Sequence, residues 1–277
     1  MILRRLCKED RPQAETMWRD MFEEAPDFTA YYFDNRFYPE HSFGAFDGER
    51  LVAMALGRPT GIYINGAFWD ALLVAGVSTL PDYRRQGLMR RVMTKLIEHA
   101  QDSGFACCYL HPVTESLYAS LGFHNGTDAR IARSDPARTH PPFDCSEGPA
   151  WDDLLSVYQA VLLTHNGMQQ RDPSELKTVF ADYATEHATT LLAYAENRPV
   201  GYICFSEAGT VFELFALCAP AYAFLLDEAA KRAGRELKAI VPTDCGLAGE
   251  RVFSMQYRVF HDAFALPLKN GFCRLAY

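Results

Sequence analysis

The chain has 277 residues, of which 49% are hydrophobic and 22% charged, with a formal net charge of −8 at pH 7. That is a globular composition with room for one large domain or two of common size, and it carries no basic excess of the kind that binds nucleic acid. No apolar run reaches the ~18 residues of a membrane helix, and the early charges of MILRRLCKED argue against a secretory signal.

The first elements read as a strand at Ile2 and Leu3 and a helix within DRPQAETMWRDMFEEAP, where Met17, Met21 and Phe22 recur at helical spacing. An aromatic-rich helix is expected over 28–37. Its Phe28, Tyr31, Tyr32, Phe33 and Phe37, with Tyr38, suit core or pocket wall. Strands at 41–46 and 50–56 flank Asp47-Gly48, a strong hairpin signal. A strand at 62–64 turns at Asn65-Gly66 into another over 67–79. The next helix spans 87–103, with Leu88, Val92, Leu96 and Ala100 repeating every four residues and Gly104 ending it. A buried strand at 105–110, a short helix at 114–121 stopped by Gly122, and a strand from Phe123 follow.

Residues 134–150 contain four prolines and no periodicity, as expected of a linker. Beyond them come helices over 151–163 and 173–183, strands over 189–195, 199–207 and 211–218, a helix over 221–233 and a strand over 236–241. The second half thus repeats the order of the first. An α/β (α+β) chain is expected, with one domain at 1–133, a linker at 134–150 and a degenerate copy at 151–277.

The stretch VAGVSTLPDYRRQGLM, Val74 to Met89, carries the chemistry. An apolar strand leads through a turn with two arginines and a glycine into a helix. The first N–H groups of a helix lack intrahelical partners, and its dipole puts partial positive charge beside them. A glycine there lets phosphate oxygens approach the main chain, and Arg84 and Arg85 add charge-assisted hydrogen bonds. Arginines in a first helical turn oppose the dipole, which favours an anionic partner over ordinary surface charge. The corresponding junction of the second half, Phe215 to Tyr222, has neither the glycine nor the arginines, so no second phosphate site is expected. The eight cysteines form no CxxC pair and no metal-ligand spacing with histidine. Reduced thiols in a cytoplasmic protein, and no metal, are the expectation.

The strand ending VSTLP, then DYRRQGLM, a long helix, a strand and the LYASLGF turn resemble the GNAT superfamily of acyl-CoA N-acyltransferases. Arg84, Gly87 and Met89 stand at the three fixed places of the family's phosphate-binding motif, Met89 in place of the usual small residue. That departure and the duplicated second half resemble the tandem-GNAT group that includes the enhanced intracellular survival (Eis) acetyltransferases. About a dozen residues follow Leu266, so that group's sterol-carrier-like domain is not expected. The resemblance implies acetyl-CoA as co-substrate, held by main chain at Val77, Ser78 and Thr79 and, at its pyrophosphate, by Arg84, Arg85, Gln86, Gly87 and Leu88, with Met89 and Arg90 at the helix start. It implies direct transfer of acetyl to a primary amine of a small molecule or peptide, without a covalent enzyme intermediate. No nucleic acid or membrane partner is implied, and self-association into a homo-oligomer stays open.

The resemblance also implies that Tyr118, in the LYASLGF turn, protonates the departing sulfur. The plainer alternative is that its ring only packs under the helix. For the base, the resemblance points to the terminal carboxylate, here on Tyr277, while His111 and Glu115 near a strand end are rivals. Cys107 and Cys108 on a buried strand are expected to be inert. A non-catalytic acyl-CoA sensor on the same scaffold is the alternative from another class. A nucleotide binder is disfavoured by the absence of GxxxxGK[ST] and GxGxxG.

Overall fold

The computed structural model describes residues 1–22 and 26–273. The first half runs β1 (Ile2–Arg5), α1 (Arg11–Phe22), α2 (Pro26–Asn35), β2 (Phe43–Asp47), β3 (Arg50–Ile64), β4 (Ala67–Thr79), α3 (Leu88–Asp102), β5 (Cys107–Leu110) and β6 (His124–Arg133). The second repeats that order: β7 (Asp144–Glu147), α4 (Trp151–Leu162), α5 (Pro173–Ala184), β8 (Thr189–Ala195), β9 (Arg198–Phe205), β10 (Val211–Ala216), α6 (Ala219–Ala233), β11 (Lys238–Val241) and β12 (Gly249–Val259). The chain is a tandem pair of α/β units with the same element order.

Each half layers helices on both faces of its sheet. In the first, α3 lays Leu88, Val92, Met93, Leu96 and Ala100 against Ala53, Ala55, Leu72 and Val74. On the opposite face Met17 and Trp18 of α1 and Phe28, Tyr32 and Phe33 of α2 cover Leu51, Met54, Leu56 and Ala75. The strands alternate sides because successive Cβ atoms point to opposite faces. In the second half α6 covers one face, with Leu225, Leu226 and Ala229 on Leu191, Ile203 and Leu214. Helices α4 and α5 cover the other, with Val157, Leu176 and Val179 near Leu192, Tyr202 and Phe215.

The two halves exchange their last strands. An eight-stranded sheet has the order β1-β2-β3-β4-β5-β12-β6-β11, and a four-stranded sheet the order β10-β9-β8-β7. Strand β12, the end of the second repeat, pairs antiparallel with β5 of the first (Gln256 with Leu110 through Val259 with Cys107). Strand β6, the end of the first repeat, pairs with β11 of the second (Lys238 with Arg133 through Val241 with Arg130). The exchanged strands also pair with each other. Tyr109 on β5 and Tyr257 on β12, both fully buried, stack with centroids 5.6 Å apart. The halves meet again at α2 and α5, where the Tyr31 hydroxyl donates to the carbonyl of Thr178 (2.6 Å) and Arg36 faces Asp182 (3.1 Å). Asp182, desolvated there, is pushed up to about 7 despite that guanidinium.

Several elements differ from the sequence expectation. Residues 50–64 make one strand, β3, across Gly57, Pro59 and Gly61, because β4 is long enough to pair with it from Ala53 to Ile64, past the end of β2. The segment 114–121 is a turn with only a single 3-10 turn at Ala119–Leu121, too short to bury a helical face. Within 134–150, residues Asp144–Glu147 form an edge strand on β8.

Ending the chain at residue 247 removes β12 and leaves β5 and β6 as facing bare edges inside the sheet. We expect that truncated protein to aggregate on size-exclusion chromatography and to lack a cooperative thermal transition. A monodisperse, cooperatively melting product would contradict the account of the exchange.

Candidate active site

The site begins with a defect in β4. Met54 pairs with Ser78 and Leu56 with Ala75, so Gly76 and Val77 lie opposite Ala55 alone. This is a β-bulge, which bends its strand and frees backbone groups from the ladder. Gly76 takes φ +57°, and a Cβ there would run into the Trp18 ring, so only glycine meets both demands. Strands β4 and β5 pair in parallel only at Ala71–Leu73 with Cys107–Tyr109. Past that point they separate, and the main chain of Val77, Ser78 and Thr79 faces the gap.

Helix α3 closes one side of the opening. Its N-cap is Gly87 at φ +74°, with no side chain capping the first turn and no acidic residue in it. The N–H groups of Leu88, Met89 and Arg90 therefore keep the donor capacity of a helix start. Arg85 also adopts a left-handed φ of +62°, uncommon for a side chain with a Cβ. Arg84 donates from Nε to the carbonyl of Thr79 (3.2 Å), which ties the turn to the end of β4.

These pieces enclose a cleft of about 540 Å³. Of the residues singled out in the sequence, Val77, Ser78, Thr79, Arg84, Arg85, Gly87, Leu88, Met89, Arg90 and Tyr118 all line it. Gln86 does not; its amide donates to the carbonyl of Asp82 (3.3 Å). The cleft unites a helix start, two arginines on the turn before it and a strand with free main-chain groups. That is a cradle for a phosphate-bearing molecule with an extended tail.

Tyr118 sits at the inner end. It is 6% exposed and packs against Phe123 at 5.9 Å. Burial pushes its phenol up to about 12, so it keeps its proton at neutral pH. Among the described residues its hydroxyl has no hydrogen-bond partner. A second cavity of about 230 Å³ lies on the α1–α2 side of the sheet, lined by Trp18, Phe28, Leu110, His111 and Val113 among others. Phe22, Val77 and Tyr118 line both cavities, so the two meet at Tyr118.

His111 borders the second cavity. Its Nδ1 lies 2.6 Å from the carbonyl oxygen of Ser254. A carbonyl only accepts, so Nδ1 carries the proton and Nε2 of the neutral ring is the acceptor. Glu115 is exposed and lines neither cavity. Cys107 and Cys108 are buried, which pushes both thiols up, away from the reactive thiolate. Tyr277 lies outside the described residues. Among the described residues no cluster of histidine, cysteine or carboxylate side chains is arranged to hold a metal ion, and no helix is long and apolar enough to cross a membrane.

Sequence reasoning missed β12. Ser254 accepts from His111, Gln256 donates from its amide to the carbonyl of Glu115 (2.9 Å), and Arg258 donates to the carbonyl of Leu121 (2.8 Å). Three alternate residues of one strand thus fix the loop that carries His111 and Tyr118. The signal was present: Phe253, Met255, Tyr257 and Val259 alternate with Ser254, Gln256 and Arg258, the period of a strand.

Residues 3–126 match the sequence model of the acetyltransferase (GNAT) domain family. Residues 3–126, a little under half of the chain, thus form a GNAT domain. The same half is 29% identical over 113 residues to the [ribosomal protein bS18]-alanine N-acetyltransferase of Escherichia coli (strain K12), covering 36% of this chain and 76% of that protein. The whole fold is similar to a probable N-acyltransferase from Enterococcus faecalis V583, with a TM-score of 0.74 and 17% identity over 93% of this chain and 72% of the other. It is also similar to Eis1 from Mycobacterium abscessus, with a TM-score of 0.72 and 17% identity over 94% and 74% of the two chains. A more distant fold relative is the N-myristoyltransferase of Saccharomyces cerevisiae, solved with bound myristoyl-CoA, at a TM-score of 0.62 and 8% identity over 94% of this chain and 82% of that one. GNAT acetyltransferases use acetyl-CoA.

For Gly87→Val we expect the fold to survive, since nothing lies within 4 Å of the added Cβ. Acetyl-CoA affinity should fall at least about tenfold by calorimetry, because a branched side chain resists φ +74° and covers the helix start. Unchanged affinity would remove the α3 N-terminus from the binding site.

Proposed function

We propose that this protein transfers the acetyl group of acetyl-CoA directly to a primary amine of a small molecule or peptide, with both substrates bound at once. The observation that carries this reading is the junction at Phe22, Val77 and Tyr118, where the cleft beside α3 and the cavity beside α1 and α2 open onto each other. Two substrates entering from opposite sides of the sheet would meet there.

In this reading the pyrophosphate lies on the first turn of α3 with Arg84 and Arg85, and the pantetheine arm follows the free edge of β4 past Thr79, Ser78 and Val77. The thioester then reaches the junction. A β4 main-chain N–H donates to the carbonyl oxygen as negative charge develops on it. Tyr118 donates its hydroxyl proton toward the departing sulfur. Tyr118 lines both cavities and makes no hydrogen bond from its hydroxyl among the described residues, so the group is available to a substrate, which favours this role over packing alone. No covalent enzyme intermediate is needed, because the amine is itself the nucleophile.

The E. coli relative's name assigns it the acetylation of an alanine on a ribosomal protein. A peptide amino group is thus one acceptor of the proposed class, alongside small-molecule amines.

The test is steady-state kinetics of Tyr118→Phe, measured as release of free CoA with any amine the wild type acetylates. Turnover should drop by about one to two orders of magnitude, the scale of one general acid, while acetyl-CoA affinity stays that of the wild type. Wild-type turnover in the variant would take Tyr118 out of the mechanism. Acetyl-CoA binding without CoA release on any amine would replace the enzyme reading with that of a sensor.

A further inference from the structure

We infer that the cavity beside α1 and α2 receives an amine carried on an apolar group, aryl or branched alkyl, and that His111 is the base that takes the proton from its ammonium. The inference rests on the acetyltransferase reading above and specifies the acceptor half of that site.

The walls are the first argument. Trp18, Phe22, Phe28, Val74, Leu110 and Val113 present apolar surface to the cavity, and among its described lining residues the titratable groups are His111 and Tyr118 alone. An apolar cavity of ~150 Å³ suffices to hold benzene, so about 230 Å³ accommodates a ring or a branched chain. A polycation would place further ammonium groups against hydrocarbon with no described carboxylate beside them, which is costly. An amine with one charge, on the nitrogen that reacts, loses that charge to His111 and leaves only apolar surface to bury.

Geometry supplies the base. The bond from Nδ1–H to Ser254 leaves Nε2 as the proton acceptor. Ser254 itself has no partner in the β6 ladder: Phe253 pairs with Asp128 and Met255 with Thr127, so Ser254 is the bulged residue between them. The bulge places its carbonyl outside the regular pairing, where it meets the ring. The Ser254 hydroxyl is fixed in turn by donating to the carbonyl of Cys273 (2.7 Å). Around His111 stand the uncharged Ser254 and Gln256 of β12, the apolar Trp18, Phe22 and Phe28 of α1 and α2, the phenol of Tyr118 and, on its own loop, the exposed Glu115. Tyr118, at about 12, is silent near neutrality.

The step balances. One ammonium proton passes to Nε2 and on to solvent. The nitrogen lone pair forms the N–C bond to the thioester carbonyl, and collapse of that adduct breaks the C–S bond. The second nitrogen proton reaches the sulfur by way of the Tyr118 hydroxyl, giving the amide, CoA thiol and one released proton.

Two measurements test it on the full chain. In the first, phenethylamine, isoamylamine, spermidine and kanamycin are compared as acceptors by CoA release. Phenethylamine and isoamylamine should exceed the two polycations in kcat/KM by about tenfold or more. Equal or better use of spermidine or kanamycin would overturn the acceptor assignment.

In the second, His111→Gln and His111→Ala are assayed with the preferred amine across pH. For His111→Gln, kcat near neutrality should fall about a hundredfold with acetyl-CoA affinity unchanged. Its rate should then climb in proportion to the neutral fraction of the amine, with no separate acid limb. Added imidazole should restore part of the activity of His111→Ala. A wild-type pH profile in His111→Gln, or His111→Ala that binds acetyl-CoA normally but shows no imidazole rescue, would overturn the base assignment. Loss of acetyl-CoA binding by the wild type would instead count against the acetyltransferase reading itself.

Discussion

The structure depends on one strand pairing, β12 between β5 and β6. Without it the first sheet would end at β5, and the loop that follows β5 would have nothing beneath it. With it, Ser254, Gln256 and Arg258 reach that loop at His111, Glu115 and Leu121. Gly122, at φ +79°, lies so close to the Arg258 guanidinium that a Cβ would collide with it. The turn bearing Tyr118 is therefore built around a side chain from the far end of the chain. The second repeat is a working part of the first one's candidate site, although its described residues line neither of the two cavities at Tyr118. The exchange also makes the fold strongly non-local, since strands more than a hundred residues apart must find each other before either half is complete.

The bulges explain how a regular sheet makes room for substrates. In β4 the extra residue at Gly76 and Val77 turns main-chain groups away from β3 and toward the gap with β5. In β12 the extra residue at Ser254 turns a carbonyl toward His111. Both defects lie next to the point where β4 and β5 diverge, one on either side of it. Tyr118 lines the cavities on both faces. Each bulge gives up a ladder hydrogen bond, a loss that close packing around it offsets: Trp18 fills the space a Cβ on Gly76 would need, and Tyr257 stacks on Tyr109 beside Ser254.

Much of this was legible in the sequence where local chemistry decides the outcome. Strands β4 and β8 carry strong alternation and clear turn residues at their ends, and their observed spans are those read from the sequence. The apolar stripe of α3 likewise declares its buried face. The turn before α3 was legible for the same reason, since its glycine, its arginines and its helix are contiguous. What stayed hidden depends on distant partners. Gly57, Pro59 and Gly61 look like breaks until β4 pairs with them, opposite Val74, Leu72 and Asp70. Alternation in 253–259 indicates a strand but not that its neighbours are β5 and β6 from the other half. The role of His111 follows only from a carbonyl 143 positions later.

The two repeats differ at the junction before their long helices. Between β4 and α3 run eight residues, Leu80 to Gly87, enough to set two arginines and a left-handed glycine before the helix. Between β10 and α6 there are only Leu217 and Cys218, and Pro220 in the first helical turn removes one of the N–H donors an anion would need. The interior between the second sheet and helices α4 and α5 also holds a buried polar network. Glu213 on β10 is fully buried and accepts from Arg171 (2.5 Å) and from the hydroxyls of Tyr183 and Tyr202 (2.9 Å each), while Arg171 also lies over the Tyr158 ring at 4.3 Å. That network fills the second repeat's counterpart of the α1–α2 side, where the first repeat keeps its cavity. A buried ion pair with every strong acceptor engaged is costly to open, because removing one partner strands the other's charge. Beside that network a cavity of about 250 Å³ remains, lined by Val161, His165, Ala216, Cys218 and Tyr222 among others, so the network braces the second repeat without closing it, and through β12 that repeat supports the loop of His111 and Tyr118.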